Sequence, residues 1–239
     1  MMSATRRGGR AVECGGLENR CAGNTRTQGS NPCPSARARV SSWRALSDTG
    51  RCEPPRGSQL ADQVPVQIAL LRGINLGPTR RVPMTELRAL LTGAGYGAVR
   101  THLQSGNVLL ESEAAPAALR AQLEEQLALR FGFQIPVIVR SRGELGEVIA
   151  RDPFGARVTD PRRYQVTFLA SEGSAELEAR LRAVAKGGEG VAVIGREIYA
   201  WHPDGIARSD LAKLVADRRT GGTARNWNTI TALWQLAGG

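Results

Sequence analysis

Three polar segments carry the side chains best suited to chemistry in this sequence. Near the C-terminal end, Arg225-Asn226-Trp227-Asn228-Thr229 crowds a guanidinium and two amides around an indole. Far upstream, Arg72-Gly73-Ile74-Asn75 sets an arginine and an asparagine three residues apart. Between them, Gln104-Ser105-Gly106-Asn107 places two amides and a hydroxyl around a glycine. A guanidinium offers a planar fork that matches carboxylate or phosphate. Amides donate and accept hydrogen bonds but do not shuttle protons near neutral pH. The chemistry these types suggest is therefore capture of a small anion by Arg72, Asn75, Gln104, Ser105, Asn107, Arg225, Asn226 and Asn228. Acid–base catalysis is less well supplied. It needs a proton carrier, for which His102, Glu86 and Ser105 are the candidates, and no catalytic residue is assigned.

Other chemistries lack their signatures. Gly93-Ala94-Gly95-Tyr96-Gly97 follows a helical pattern and precedes a strand, the reverse of the dinucleotide-binding order, and reads as a helix stop. There is no phosphate-binding P-loop, no G-x-S-x-G and no H-E-x-x-H. His102 and His202 have no cysteine or paired carboxylate near them in sequence, so no metal site is expected. Cys14, Cys21, Cys33 and Cys52 all precede residue 60 and do not form paired C-x2-C spacing. No cofactor is expected.

The charge is unevenly spread. The 239 residues carry 32 Lys+Arg and 22 Asp+Glu, a net +10. Residues 1–60 hold ten Arg, no Lys and four acids, whereas residues 61–239 hold 22 basic and 18 acidic residues. The basic excess thus lies mostly in a Gly-, Arg-, Ser- and Pro-rich segment without apolar periodicity. That segment is expected to be a disordered tail or a spurious upstream extension. No run approaches 18 apolar residues, and the start has no apolar secretory core, so a cytoplasmic protein without a membrane span is expected.

The elements that must position the polar segments begin at Val64. Val64–Leu71 reads as a buried strand. Pro83 opens a helix with Met84, Leu87, Leu90 and Leu91 on one face. Residues 98–103 and 107–112 are strands around the Gln104-Ser105-Gly106 turn. Pro116 opens a helix striped by Leu119, Leu123 and Leu127, and residues 134–140 close as a strand. The order β-α-β-β-α-β is that of a ferredoxin-like unit. After a linking helix at 142–150, a strand (164–169), a helix (174–185), a hairpin around Gly195-Arg196 and a helix (208–219) repeat the pattern. A C-terminal helix opening at Arg225 stands where a fourth strand would fall. On this helix, Trp227, Ile230, Thr231 and Trp234 are expected inward, with Arg225, Asn226 and Asn228 polar above Trp227 and Thr223 or Asn226 as cap. The expected organisation is an extension at 1–60, a first α+β subdomain at 61–141 and a second, βαββα-type one at 142–239.

These blocks, ALLRGINLG, VPMTELRALL, VRTHLQSGNVLL, VTFLA, DGIARSDL and ARNWNTITAL, resemble the bacterial DUF1697 family in order and spacing from about Val64 to Ala237. The resemblance implies tandem ferredoxin-like (alpha-beta plait) subdomains and leaves the activity uncharacterised. Asp210 stands where the family usually has Lys, and residues 1–60 have no counterpart.

Three functions are compatible with these readings. Binding of a small phosphate- or carboxylate-bearing molecule rests on the converging amides and guanidinia. A nucleic-acid-binding module rests on fold analogy and would need stacking aromatics on central strands. The first half has none there, and Tyr164, Phe168, Tyr199 and Trp201 are expected to fill a core or interface. An enzyme of unknown reaction would use Arg225 and Asn226 to stabilise negative charge.

Overall fold

The computed structural model describes residues 64–238. The expectations for residues 1–60, including the four cysteines, lie outside the described residues. The chain runs β1 (Val66–Leu71), α1 (Met84–Gly93), β2 (Gly97–His102), β3 (Asn107–Glu111), α2 (Pro116–Phe131) and β4 (Val137–Ser141). It continues through α3 (Arg142–Ala150), β5 (Tyr164–Phe168), α4 (Ala175–Val184), β6 (Gly190–Ile194) and β7 (Glu197–Trp201). Last come α5 (Asp210–Ala216), β8 (Thr223–Asn226) and α6 (Trp227–Leu236). The strands form two four-stranded sheets, ordered β2-β3-β1-β4 and β6-β7-β5-β8, with every neighbouring pair antiparallel.

One element differs from the sequence reading. A fourth strand, β8, completes the second sheet before the C-terminal helix begins, and it pairs with β5 from Gln165↔Asn226 to Phe168↔Thr223. Its four residues, Thr-Ala-Arg-Asn, carry no alternating large apolar side chains, yet Thr223 and Arg225 are the buried pair and Ala224 and Asn226 the half-buried one. The alternation is present but written in polar residues, so apolar periodicity does not reveal it. Arg225 consequently sits in a strand, and the helix starts two residues later. On α6 the buried residues are Thr229, Ile230 and Leu233, while Trp227 and Trp234 are half-buried at the margin.

Each sheet is covered on both faces. Ala69, Leu71, Val108 and Leu110 point from the first sheet toward Leu87 and Leu91 of α1 and Leu119, Leu123 and Leu127 of α2. Each leucine so buried contributes about 2 kcal/mol relative to exposure. The opposite face, with Ile68, Leu70, Leu109 and Ile138, shares one core with Tyr164, Val166, Phe168, Tyr199 and Trp201 of the second sheet. Leu145 and Val148 of α3 and Ile230 and Leu233 of α6 belong to that same core. The outer face of the second sheet packs on α4 and α5 through Leu181, Leu211 and Val215. The aromatic strand residues thus serve packing. Their hydroxyls are satisfied internally, Tyr164 donating to Asp152 Oδ1 at 2.6 Å and Tyr199 to the Val148 carbonyl at 3.0 Å.

The passage from the first sheet to the second is fixed by a capping box. Ser141 Oγ accepts from the Glu144 N–H at 3.1 Å, and the Glu144 carboxylate accepts from the Ser141 N–H at 2.7 Å. Glu144 also pairs with Arg196 in the β6–β7 turn. Burial pushes the Glu144 carboxyl up, but the Ser141 N–H and the charges of Arg140 and Arg196 together hold it below its ordinary 4.5. A carboxyl lowered in the folded state gives stability above the unfolded value that is lost as pH falls through the folded one. The urea midpoint of the wild-type chain therefore falls below pH 4.5 more steeply than that of Glu144→Gln, which starts lower at pH 7. Parallel profiles for the two proteins would refute this role. Among the described residues, no helix is long and apolar enough to cross a membrane.

Candidate functional site

The three polar segments do meet. The β1–β3 register, with Leu70 opposite Asn107, puts the exit of β1 beside the β2–β3 turn. The second sheet brings β8 against the same end, because Arg225 reaches across the shared core. Its Nε–H donates to Asn107 Oδ1, its Nη1 to Thr223 Oγ1 and the Ala224 carbonyl at 2.8 Å, and its Nη2 to the carbonyls of Leu71 at 2.8 Å and Ser105 at 2.9 Å. Every N–H of the guanidinium has a protein acceptor. Arg225 is 7 % exposed, and burial lowers its pKa to about 10, so the group stays charged at neutral pH. No carboxylate among the described residues pairs with it. Oriented carbonyl and amide oxygens replace its water instead.

The other expected site residues take distinct places. Asn107, fully buried, spends its amide N–H groups on the His102 carbonyl at 2.8 Å and Ser105 Oγ at 3.0 Å. Asn75 holds a φ of 55° and closes its own loop, accepting from the Val82 N–H at 2.8 Å and donating to the carbonyls of Val82 at 3.0 Å and Gln104 at 2.8 Å. Gly106, at φ 76°, has no room for a side chain, since an added Cβ would lie 2.8 Å from Leu71 Cβ and 2.6 Å from Ile74 Cδ1. Half-buried Arg72 donates to the Asp217 carbonyl at 3.2 Å. Gln104 and Ser105 have exposed side chains. Asn226 caps α6 by accepting from the Thr229 N–H at 2.9 Å, and Asn228 is exposed on that helix. Trp227 stacks on Tyr164 with ring centroids 4.8 Å apart. Of the suggested proton carriers, Glu86 pairs with Arg130 on the surface at 2.7 Å and Ser105 accepts from Asn107.

Arg225 has a counterpart that the sequence reading missed. Arg140 stands on β4 opposite Ile68, the third residue of β1, just as Arg225 stands on β8 opposite Val166, the third residue of β5. Arg140 Nη2 donates to the Leu169 carbonyl at 2.9 Å and to Glu197 Oε1 at 3.2 Å. Glu197 opens β7 as Asn107 opens β3, and Leu169 follows β5 where Leu71 ends β1. Each sheet thus sends an arginine from its fourth strand to the same two positions of the other sheet. One arginine finds a carboxylate there and the other an amide. A charged residue at an inward position of the apolar strand Val-Ile-Val-Arg was the available signal.

Beside this knot lies a cleft of about 830 Å³. Its lining includes Asn75, Leu76 and Pro78 of the β1–α1 loop, Gln104 of the β2–β3 turn, and Arg81 and Thr85 at the start of α1. Arg225, Asn107 and Arg72 are not among its lining residues. The N-cap of α1 is Pro83, so no side chain caps the first-turn N–H groups; Pro83, Met84 and Thr85 line the cleft, and Glu86 is the acidic residue of that turn. Arg81 is exposed and has no carboxylate partner among the described residues. Its neighbour Arg80 is occupied, lying 4.6 Å over the Phe133 ring and donating to the Gln134 carbonyl. Arg81 and Thr85 escaped the sequence reading, although two consecutive arginines before a helix-opening proline were visible.

Elsewhere, fully buried His202 sets Nδ1 3.0 Å from Glu189 Oε1 and leaves Nε2 without a partner. Burial pushes the Glu189 carboxyl up, but hydrogen bonds from Ser209, His202 and the Lys186 N–H bring it below its usual range. No group of three or more His, Cys, Asp or Glu among the described residues is arranged to hold a metal ion.

Two antiparallel four-stranded sheets with six helices define a mixed α+β protein. The chain belongs to the DUF1697 family, described as a protein of unknown function, whose family model matches residues 65–199. A solved structure, that of a conserved bacterial protein from Streptococcus pneumoniae, superposes with a TM-score of 0.60. It shares 23% sequence identity over 72% of this chain and 98% of that one, a likeness of fold. No curated protein matches the chain.

Proposed function

We propose that the chain binds a small molecule bearing a carboxylate or phosphate in the cleft between the β1–α1 loop and the β2–β3 turn. The observation that carries this reading is the meeting, in one cleft of about 830 Å³, of exposed Arg81 with the uncapped start of α1. The volume falls within the ordinary range of small-molecule sites. Both features favour negative charge. Asn75 and Gln104 contribute walls, and Arg225 serves by fixing the turn that carries Gln104. We read each half, 61–141 and 142–239, as a ferredoxin-like subdomain. The strand orders, with the first and third strands of each half central and its second and fourth at the edges, support that reading.

Thermal denaturation of the full chain against a panel of carboxylates and phosphates tests the site. A true ligand a hundredfold above its Kd raises Tm by on the order of 5–10 °C. Arg81→Ala leaves the unliganded Tm unchanged, because the side chain is exposed, and weakens binding by ~10–100-fold. If no member of the panel stabilises the wild-type chain, the proposed function is abandoned.

A further inference from the structure

We infer that the occupant of this cleft is an amphipathic monoanion, a carboxylate carried on an apolar chain or ring. This rests on the anion-binding reading above and narrows it to a ligand class. Three large hydrophobic side chains are exposed among the described residues: Leu76 at 87 % lines the cleft, and Leu103 at 57 % stands one residue before Gln104, which also lines it. Lone exposed leucines are ordinary. These two, however, project from backbone that is held. The Asn75 side chain, hydrogen-bonded to the Gln104 carbonyl at 2.8 Å, ties the residue before Leu76 to the residue after Leu103. Arg225 grips the same turn from below through the Ser105 carbonyl. Leu103 itself has a φ of 60°, unusual for a leucine. An aliphatic side chain kept in water on strained, anchored backbone is a feature that contact with a ligand explains.

Exposed Pro78 extends the apolar lining, whereas Val82 and Met84 at the same cleft are buried in the core beneath it. Against this stands a single cation, Arg81. Arg80 is spent on Phe133 and Gln134, and Arg72 donates to the Asp217 carbonyl. One guanidinium and a helix start balance one negative charge. A polyphosphate would bring several, with no further lining cation to meet them. The recognised chemistry is therefore one anionic head at Arg81 and an apolar body against Leu76 and Pro78.

Isothermal titration of the full chain with octanoate, acetate and inorganic phosphate decides the matter. Octanoate is expected to bind at least ~10-fold tighter than acetate or phosphate, the difference coming from buried methylenes. Leu76→Ser should weaken octanoate by about tenfold and leave acetate unchanged, and Arg81→Ala should weaken both carboxylates. Leu129→Ser, altering the third exposed leucine at 80 %, should change nothing and so excludes non-specific detergency. If phosphate or acetate binds as tightly as octanoate, or Leu76→Ser binds octanoate like the wild type, the amphipathic ligand is ruled out while anion binding stands. If none of the three anions binds, both readings fall. If Leu76→Ser instead changes the chain's mass in sedimentation, the leucines meet a second copy and the inference is overturned.

Discussion

Arg225→Ala is expected to lower the unfolding free energy of the chain by about 3–4 kcal/mol. Two effects oppose each other at this position. Removing the cation also removes the unfavourable burial of a charge that has no carboxylate partner. The substitution, however, strands the buried oxygens of Leu71 and Asn107 and the part-buried carbonyl of Ser105, which the guanidinium now satisfies. Each charge-assisted bond contributes about 1.5–3 kcal/mol and several are lost together, so the second effect wins. Arg225→Met separates packing from hydrogen bonding. It retains most of the volume but keeps the site dry around unmet acceptors, so it is expected to be no more stable than Arg225→Ala, into which water can enter. Urea denaturation gives both values. A loss below about 1 kcal/mol for both variants would show that the knot is not a structural anchor.

Arg140→Met is expected to be similarly damaging, by about 3–5 kcal/mol, for a different reason. Its partner Glu197 is left as a carboxylate with 7 % side-chain exposure and without the ion pair it now makes. Burial already lowers the pKa of Arg140 itself, a sign that the pair survives on mutual compensation. Replacing both partners, Arg140→Met with Glu197→Leu, should recover at least half of the loss, since an apolar pair has no charge to strand. A double variant as unstable as the sum of its single variants would mean that the two residues do not act as a unit. The contrast with Arg225 is informative, because there the acceptors are mostly backbone carbonyls that no substitution can delete.

Most helices and strands were legible because their apolar residues recur at helical or alternating spacing. Leu119, Leu123 and Leu127 line the buried stripe of α2 as the pattern demands. β8 was not legible, because a short strand alternating threonine and arginine inward looks like a loop. The approach of the polar segments depended on strand order, which local periodicity does not encode. Once β1 lies beside β3, Asn75 and Gln104 must be neighbours. The fate of Arg225 was hidden for another reason. An arginine expected to meet a ligand and one bonded to main-chain oxygens look identical in sequence, since every residue brings a carbonyl. Arg81, with few protein contacts, emerged only when the loop around it acquired a shape.

The bonds from Arg225 to Asn107 and to the Leu71 carbonyl span 118 and 154 residues of chain. α6, which follows Arg225, supplies Ile230 and Leu233 to the core between the sheets. During synthesis the first sheet therefore leaves the ribosome with its inner face uncovered, and its fastening residue emerges only 118 residues after Asn107. Closure of such distant contacts is slow, so the nascent polypeptide carries exposed aliphatic surface until β8 and α6 have been made, an interval in which a holding chaperone has something to grasp.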